Sequence, residues 1–538
     1  MGWWSPAAAS PANRGVFLDD VEYFIARTAG VGAAMSLQGI YPSGGVLPVM
    51  TAKALALMGW YERFRIAKAF APDVLKRLGE KGAEGRLRQD VKGVWTYRPV
   101  SAYAQRVRGA GVGSRGSFVS PEAAEAALRV ELFYNLSKPD SAAGVPVIVA
   151  KDLEKYAKGA AKGVTLKAAA VSDPERGQVV SVKAYNDTAS PRGAWTKLVR
   201  TAAAPYLDLS AAAGVGFWVR GDGSGAVLDV RVSTPREHFP CDADHLVKLD
   251  FKGWKYVELL FRERDTELAS KLEWELPYDR SPFQTRMKTK YVSAVGVWLN
   301  EIPVSQREGI LDSNSEDRAS RPASVDIAFG EIRALPLKAA EAEDVSVKLN
   351  GKKIEVPFDF AAGDYAELDD GVWSLYTELG VLKKRQAGPA LAVAAGQNEY
   401  RLKGDVEDAE AFRGEVTFFV KGKPRPALLP LTPALREKVT YEPMLPQEYA
   451  PAKGASELRP LTVRPDEKAT LEITLRGPIA DPVLTVGDRT IRLPSLPEKK
   501  LAVIRDETVF SGVQPMKLES SAPQAADAVI TVSKCYVR

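Results

Sequence analysis

Several groups of residues in this 538-residue chain have the types and spacing that chemistry could use. Asp19, Asp20 and Glu22 are the clustered acids near the start. Glycoside hydrolysis needs two carboxyls about 5–5.5 Å apart for retention, or about 6.5–9.5 Å for inversion. Asp20 and Glu22 lie two apart in a segment that reads as a helix, so they do not face each other. All three acids also suit helix capping and compensation of the helix dipole. His238-Phe239-Pro240-Cys241-Asp242-Ala243-Asp244-His245 holds both histidines of the chain, with ligand types that zinc or copper accept. A single short stretch would have to fold back tightly to bring three of them to one centre, and the plainer reading is a loop between strands. Trp195 follows Asn186-Asp187-Thr188 and stands near Tyr185, Asp187 and Arg192. An exposed ring flanked by such polar groups suits the apolar C–H face of a sugar, although a sandwich edge would equally hold Trp195. Trp218, Trp254 and Trp298 sit inside apolar strand patterns, where a core role is expected. Gly221-Asp222-Gly223-Ser224-Gly225 lacks the Lys-Ser/Thr and the following helix of a phosphate loop. It reads as a hairpin turn whose glycines supply positive φ.

The elements that must position these residues fall into two kinds. Asp19-Asp20 before Val21 to Arg27 predicts an N-capped helix, Ala33 to Ile40 a short buried strand, and Met50 to Phe70 a longer helix ended by Ala71-Pro72. From Val94 onward the pattern changes to short alternating runs such as Val179 to Val182, Val215 to Val219, Val227 to Val232, Tyr291 to Leu299 and Val416 to Val420. Evenly spaced strands with turn signals predict β-sandwiches, with short helices expected at 121–127 and 151–161. The fold class expected is therefore multidomain and mainly β. Its domains are an α/β segment over 1–93, a β region over 94–336 with lead-in strands at 94–165, a second sandwich over 345–423 and a C-terminal β domain over 455–538.

Composition narrows the function classes. The 73 basic and 68 acidic residues nearly cancel to a net charge of +5, so no strong field draws the chain to nucleic acid or an anionic membrane. No stretch of about 18 uninterrupted apolar residues predicts a transmembrane helix. Cys241 and Cys535 are the only cysteines, which excludes a multi-cysteine zinc module and leaves one disulfide or two free thiols. Met1-Gly2-Trp3-Trp4-Ser5-Pro6 has no basic region leading into an apolar one. The abrupt start is read as the back part of a longer secreted protein.

Gly216-Phe217-Trp218-Val219-Arg220-Gly221-Asp222-Gly223-Ser224-Gly225, then Leu249 to Leu259 with Asp250-Phe251-Lys252-Gly253-Trp254, then Val325 to Ile332, resembles a galactose-binding-like jelly roll. Such modules are attached to bacterial glycosidases and bind carbohydrate. Asp19 to Tyr23, Leu37-Gln38 and Trp60 to Arg63 resemble the end of a glycoside-hydrolase-like (β/α) barrel, and the later strands resemble immunoglobulin-like sandwiches. The resemblance implies a secreted or cell-surface protein that binds a glycan or polysaccharide, as the accessory part of a glycosidase-like protein. In a barrel, sites lie at the C-terminal ends of strands. Asp19, Asp20 or Glu22 would then be catalytic, with Trp3, Trp4 and Gln38 as substrate subsites. Most of a barrel is missing from these residues, so a competent hydrolase is not expected from this chain alone. The resemblance implies no organic cofactor; a structural calcium, held by carboxylates and carbonyls, is a further possibility it raises, with ligands the sequence does not identify. The rival reading is a structural or adhesive surface protein. A cytosolic metalloenzyme built on the His238–His245 stretch is the third.

Overall fold

The computed structural model describes all residues except 1–2, 5–9, 11, 14, 38–48, 90–93, 109–113, 133–134, 137–143, 236–240, 276–286, 306–323, 339–340, 406–412, 431, 436–446, 450–453, 464–468, 477–478, 498–500, 521–528 and 537–538. The chain is mainly β, as the alternating runs predict. It divides into two units: one comprises 1–8, 15–133 and 340–538, the other 9–14 and 134–339.

The second unit is a jelly-roll β-sandwich. Its larger sheet includes Val164–Asp173, Gly177–Asn186, Val325–Phe329, Ala212–Asp222 and Lys252–Leu260, and its smaller sheet Cys241–Lys248, Val227–Thr234, Ala294–Asn300, Thr196–Thr201 and Ala157–Ala160. Alternation along the strands fills the space between them: Val180, Val182, Phe217, Val219, Leu228, Val230, Val295, Val297, Ile327 and Phe329 all enter one core. The Gly221–Gly225 turn does not close a hairpin. It carries the chain from the larger sheet to the smaller one, with Ala212–Asp222 paired to Lys252–Leu260 and Val227–Thr234 paired to Cys241–Lys248. Gly223 and Gly225 take positive φ there, and the Asp222 carboxylate accepts the Ser224 N–H at 2.9 Å.

In the first unit, helices α1 (Leu18–Gly30), α2 (Val49–Ile66) and α3 (Pro72–Leu78) pack Val21, Ile25, Tyr61, Phe64, Val74 and Leu78 on Leu87, Trp95 and Tyr97 of a nine-stranded sheet. The short strands Trp3–Trp4 and Ser36–Leu37 pair in parallel on either side of α1. Further along its strands the same face of the nine-stranded sheet meets a five-stranded sheet across Leu128, Val130, Val347, Leu368, Trp373, Leu402, Val416 and Phe418. The last sandwich, two four-stranded sheets over 447–536, has its own core of Leu461, Ile473, Leu475, Leu484 and Met516.

Besides the Gly221–Gly225 turn, three expectations from the sequence change. The strands expected to lead into the jelly roll separate: Trp95–Arg108 and Ala124–Leu132 pair with Arg413–Lys421, and Arg115–Ser120 pairs with Gly396–Asp405. The jelly roll is thus inserted between two halves of another sandwich, a long-range pairing that local alternation does not encode. The helix expected at 121–127 is instead a bend leading into strand Ala124–Leu132, because its alanines serve a buried strand; at 150–155 a 3-10 helix forms. Residues 241–245, the later part of the stretch expected as a loop, belong to strand Cys241–Lys248, since Ala243 enters the core and Val247 packs against it from the same strand face.

Candidate functional site

The larger jelly-roll sheet turns Phe217, Val219, Val257 and Leu259 inward, which leaves Trp218, Arg220, Trp254 and Tyr256 on its outer face. In register, Trp218 stands opposite Tyr256 and Arg220 opposite Trp254. The Trp218 and Tyr256 rings lie 5.4 Å apart and tilted, and the Arg176 guanidinium rests 3.5 Å above the Trp218 ring. Gly216 makes room for this arrangement, because a Cβ there would overlap the Tyr256 hydroxyl.

Beside the aromatic pair the sheet carries small residues. Ala328 stands opposite Arg220 and Ser181, and Ser181 opposite Ala169. Beyond them Asp326 accepts ion pairs from Lys183 at 2.9 Å and Arg220 at 3.4 Å. The Asp326 N–H donates to the Asp222 carboxylate at 2.7 Å, which ties this charged row to the glycine turn. The face therefore has an aromatic side and a charged side with donors and an acceptor, with the buried Ala328 and the half-buried Ser181 in the sheet beside them. Ring faces bind apolar C–H surfaces, while charged donors and acceptors bind hydroxyls strongly and with direction.

The expected core role of Trp218 and Trp254 is corrected here. Their strands alternate, but both rings fall on the parity that faces away from the partner sheet. Trp298 also leaves the inter-sheet core: it is buried on the far face of the smaller sheet with Trp274, and the Arg231 guanidinium lies 4.1 Å from its ring.

The residues singled out around Trp195 are distributed rather than gathered. Tyr185 belongs to the outer face of the larger sheet, with Lys167 5.3 Å from its ring. Trp195 precedes a strand of the smaller sheet and is half-buried, with Lys197 5.8 Å from its ring. Asp187 is exposed, and its N–H donates to the Gly163 carbonyl. Arg192 pairs with Glu273 at 2.7 Å.

His245 is buried, its two ring nitrogens against the carbonyl oxygens of Val230 at 3.3 Å and Leu260 at 2.9 Å. The ring is thereby held in the strand rather than offered to a metal. Asp244 accepts from Arg231 at 2.9 Å. His238 and the Cys241 and Asp242 side chains lie outside the described residues, as do Gln38 and the side chains of Trp3, Trp4 and Cys535. Among the described residues no group of three His, Cys, Asp or Glu is placed to hold a metal.

A second feature lies in the other unit, a cleft of about 330 Å³ on the outer face of the nine-stranded sheet, where α1 begins. Asp19 is 14% exposed and pairs with Arg129 at 2.6 Å and Arg86 at 3.7 Å. Burial works against its charge, but Arg129 and then Arg86 outweigh that and lower its pKa to about 2. Arg129 is itself 7% exposed, also pairs with Glu367 at 2.7 Å, and sits 3.8 Å above the Phe17 ring. Glu22, 1% exposed, accepts the Tyr61 hydroxyl at 3.1 Å and the Leu87 N–H at 2.6 Å. Asp20 is exposed and accepts the Phe17 N–H at 3.0 Å, which is a helix-capping contact. The three acids thus have structural partners, and Asp19 is held as the anion, the opposite of what a general acid requires.

No family model matches the chain, and no curated protein matches it. Among solved structures, it is similar to a family 11 carbohydrate-binding module from Clostridium thermocellum in complex with a β-1,3-1,4-mixed-linked tetrasaccharide. The identity is 14%, over 36% of this chain and 97% of that one, with a TM-score of 0.24. The family 11 module of a cellulosomal cellulase of Clostridium thermocellum is 11% identical, over 39% and 95%, with a TM-score of 0.23. An exo-β-agarase is 8% identical, over 39% of this chain and 25% of that one, with a TM-score of 0.19.

Proposed function

We propose that this chain binds carbohydrate through the outer face of the larger jelly-roll sheet, as the accessory part of a secreted or cell-surface, glycosidase-like protein that processes a glycan. One observation carries the reading: the Trp218–Tyr256 pair and the Arg220–Asp326–Lys183 row share one face of the sheet, a row apart along the strands. A sugar laid on that face stacks its C–H surface against the rings and presents hydroxyls to the charged row. Arg176 covers Trp218. It either swings aside to admit the sugar or remains as a wall that donates to it.

The chain acts here as a binder. A hydrolytic role would need a carboxyl kept protonated beside a second carboxylate, and the ion-paired Asp19 argues against assigning one to the cleft.

The test is a binding isotherm for a panel of neutral oligosaccharides with the intact chain and with Trp218→Ala and Arg220→Ala. Each substitution is expected to weaken binding by about tenfold or more, which is about 1.4 kcal/mol. Binding unchanged in both variants would remove the sugar from this face.

A further inference from the structure

The cleft of the first unit has donor capacity that its own carboxylates do not use. Arg86 and Arg88 alternate with Leu87 on strand Glu84–Gln89, so both point to the side away from that buried leucine. The register sets Arg86 directly opposite Arg98, and Arg88 opposite Thr96. Like charges directly opposite in a sheet are destabilising, so this cluster needs anions around it.

The anions present are largely occupied elsewhere. Asp19 and Glu367 hold Arg129, and Glu22 accepts from Tyr61 and Leu87. Asp369 and Asp370 hold Lys421. Arg98 is spent on the Gly422 carbonyl at 2.9 Å and on Glu125 at 2.6 Å. What remains is Arg86, only 14% exposed, whose Nη1 is buried with no hydrogen-bond partner, and Arg88, 55% exposed, whose Nη1 donates to the Leu87 carbonyl at 3.0 Å and lies 3.6 Å from Glu22. Arg86 reaches Asp19 and Glu22 only at 3.7 and 4.0 Å. A buried guanidinium nitrogen without an acceptor is costly, and the planar fork matches an oxyanion in bidentate fashion. Leu18, Val100, Ala127 and Phe419 line the same cleft and offer apolar surface beside the two arginines. Its volume is at the small end of what ligand pockets occupy.

We propose that this cleft is a second binding site, in which Arg86 and Arg88 clamp the carboxylate or sulfate of an acidic sugar residue while its ring lies on the apolar wall. The choice of a sugar as carrier rests on the carbohydrate reading above. The oxyanion itself follows from the buried Arg86 Nη1 that no acceptor meets.

The experiment titrates the intact chain with galacturonate and glucuronate, a sulfated monosaccharide, a neutral methyl galactoside, acetate and inorganic sulfate, followed by calorimetry or NMR. It is repeated with Arg86→Gln and with Arg88→Gln. The second variant is at a half-exposed position, so it keeps the assay interpretable if the first fails to fold by circular dichroism. An acidic sugar is expected to bind, the neutral glycoside to bind at least about tenfold more weakly, and each variant to lose about tenfold or more. Acetate and sulfate binding as tightly as the acidic sugars would overturn the saccharide as carrier, whatever the oligosaccharide assay of the jelly roll shows. Absence of saturable binding by every oxyanion, or binding that both folded variants retain, would overturn the site itself.

Discussion

Arg129 and Asp19 are 110 positions apart in the chain and 2.6 Å apart in the fold. Neither is exposed enough for water to screen the pair, so the interaction carries weight that a surface bridge would not. The sign of its pH dependence follows from the lowered carboxyl. Asp19 falls from the ordinary 3.8 to about 2, so its contribution is complete above the unfolded value and is lost as pH falls from about 4 to about 2. It amounts to about 2 kcal/mol. Asp19→Asn is expected to cost about that much near neutral pH and to flatten the acid limb of the stability curve, measured by denaturant unfolding at several pH values. An unchanged acid limb would show that the pair contributes nothing to folding. At this scale the sequence showed the acids but not their employment. The helix start could be read near Asp20, but the helix begins at Leu18, so Asp20 caps it by reaching back from the first turn to the Phe17 N–H and not from ahead of it. The partners of Asp19 and Glu22 come from distant strands, and no local signal names them.

Among the elements, the jelly-roll strand Ala212–Asp222 is the most informative. Its alternation is visible in the sequence, but parity alone does not say which face is the core. Phe217 and Val219 went inward with Val257 and Leu259 from the neighbouring strand, which put Trp218 and Tyr256 outside. A tryptophan in an apolar run therefore reads as core although it belongs to the candidate binding face. Gly216 is the local device that accommodates Tyr256. Gly216→Ala should push the Tyr256 ring and Leu335 off their positions, cost about 1–3 kcal/mol of stability, and weaken oligosaccharide binding more than a substitution on the opposite sheet. Thermal melting and the binding isotherm measure both effects. A variant that binds as the parent does would show that Tyr256 is not part of the face.

For the whole molecule, the two units were only partly legible. The change from helical to alternating patterning near residue 94 was real, but it did not mark the jelly-roll boundary. Strands on either side of 134–339 complete one another's sheets, and residues 9–14 belong to the inserted unit. Asn13 shows why. It is buried, its Nδ2 donates to the Met287 carbonyl at 3.1 Å, and its Oδ1 accepts from the Met287 N–H at 2.8 Å and from Arg264 at 2.6 Å. Asn13→Ala would strip these buried groups of a partner and is expected to destabilise the jelly-roll unit by about 1–3 kcal/mol. Calorimetry should show one transition lowered and the remainder in place. A uniform shift of all transitions would instead mean that the units unfold together.

Carbohydrate binding by the jelly-roll face is best measured on a glycan array probed with the intact chain and with the Trp218→Ala/Tyr256→Ala double variant. The parent is expected to bind a defined set of glycans, and a double variant that keeps the parent's circular dichroism is expected to lose that binding. Silence of the parent across neutral and acidic glycans, or a pattern that survives the loss of both rings, would contradict binding by this face.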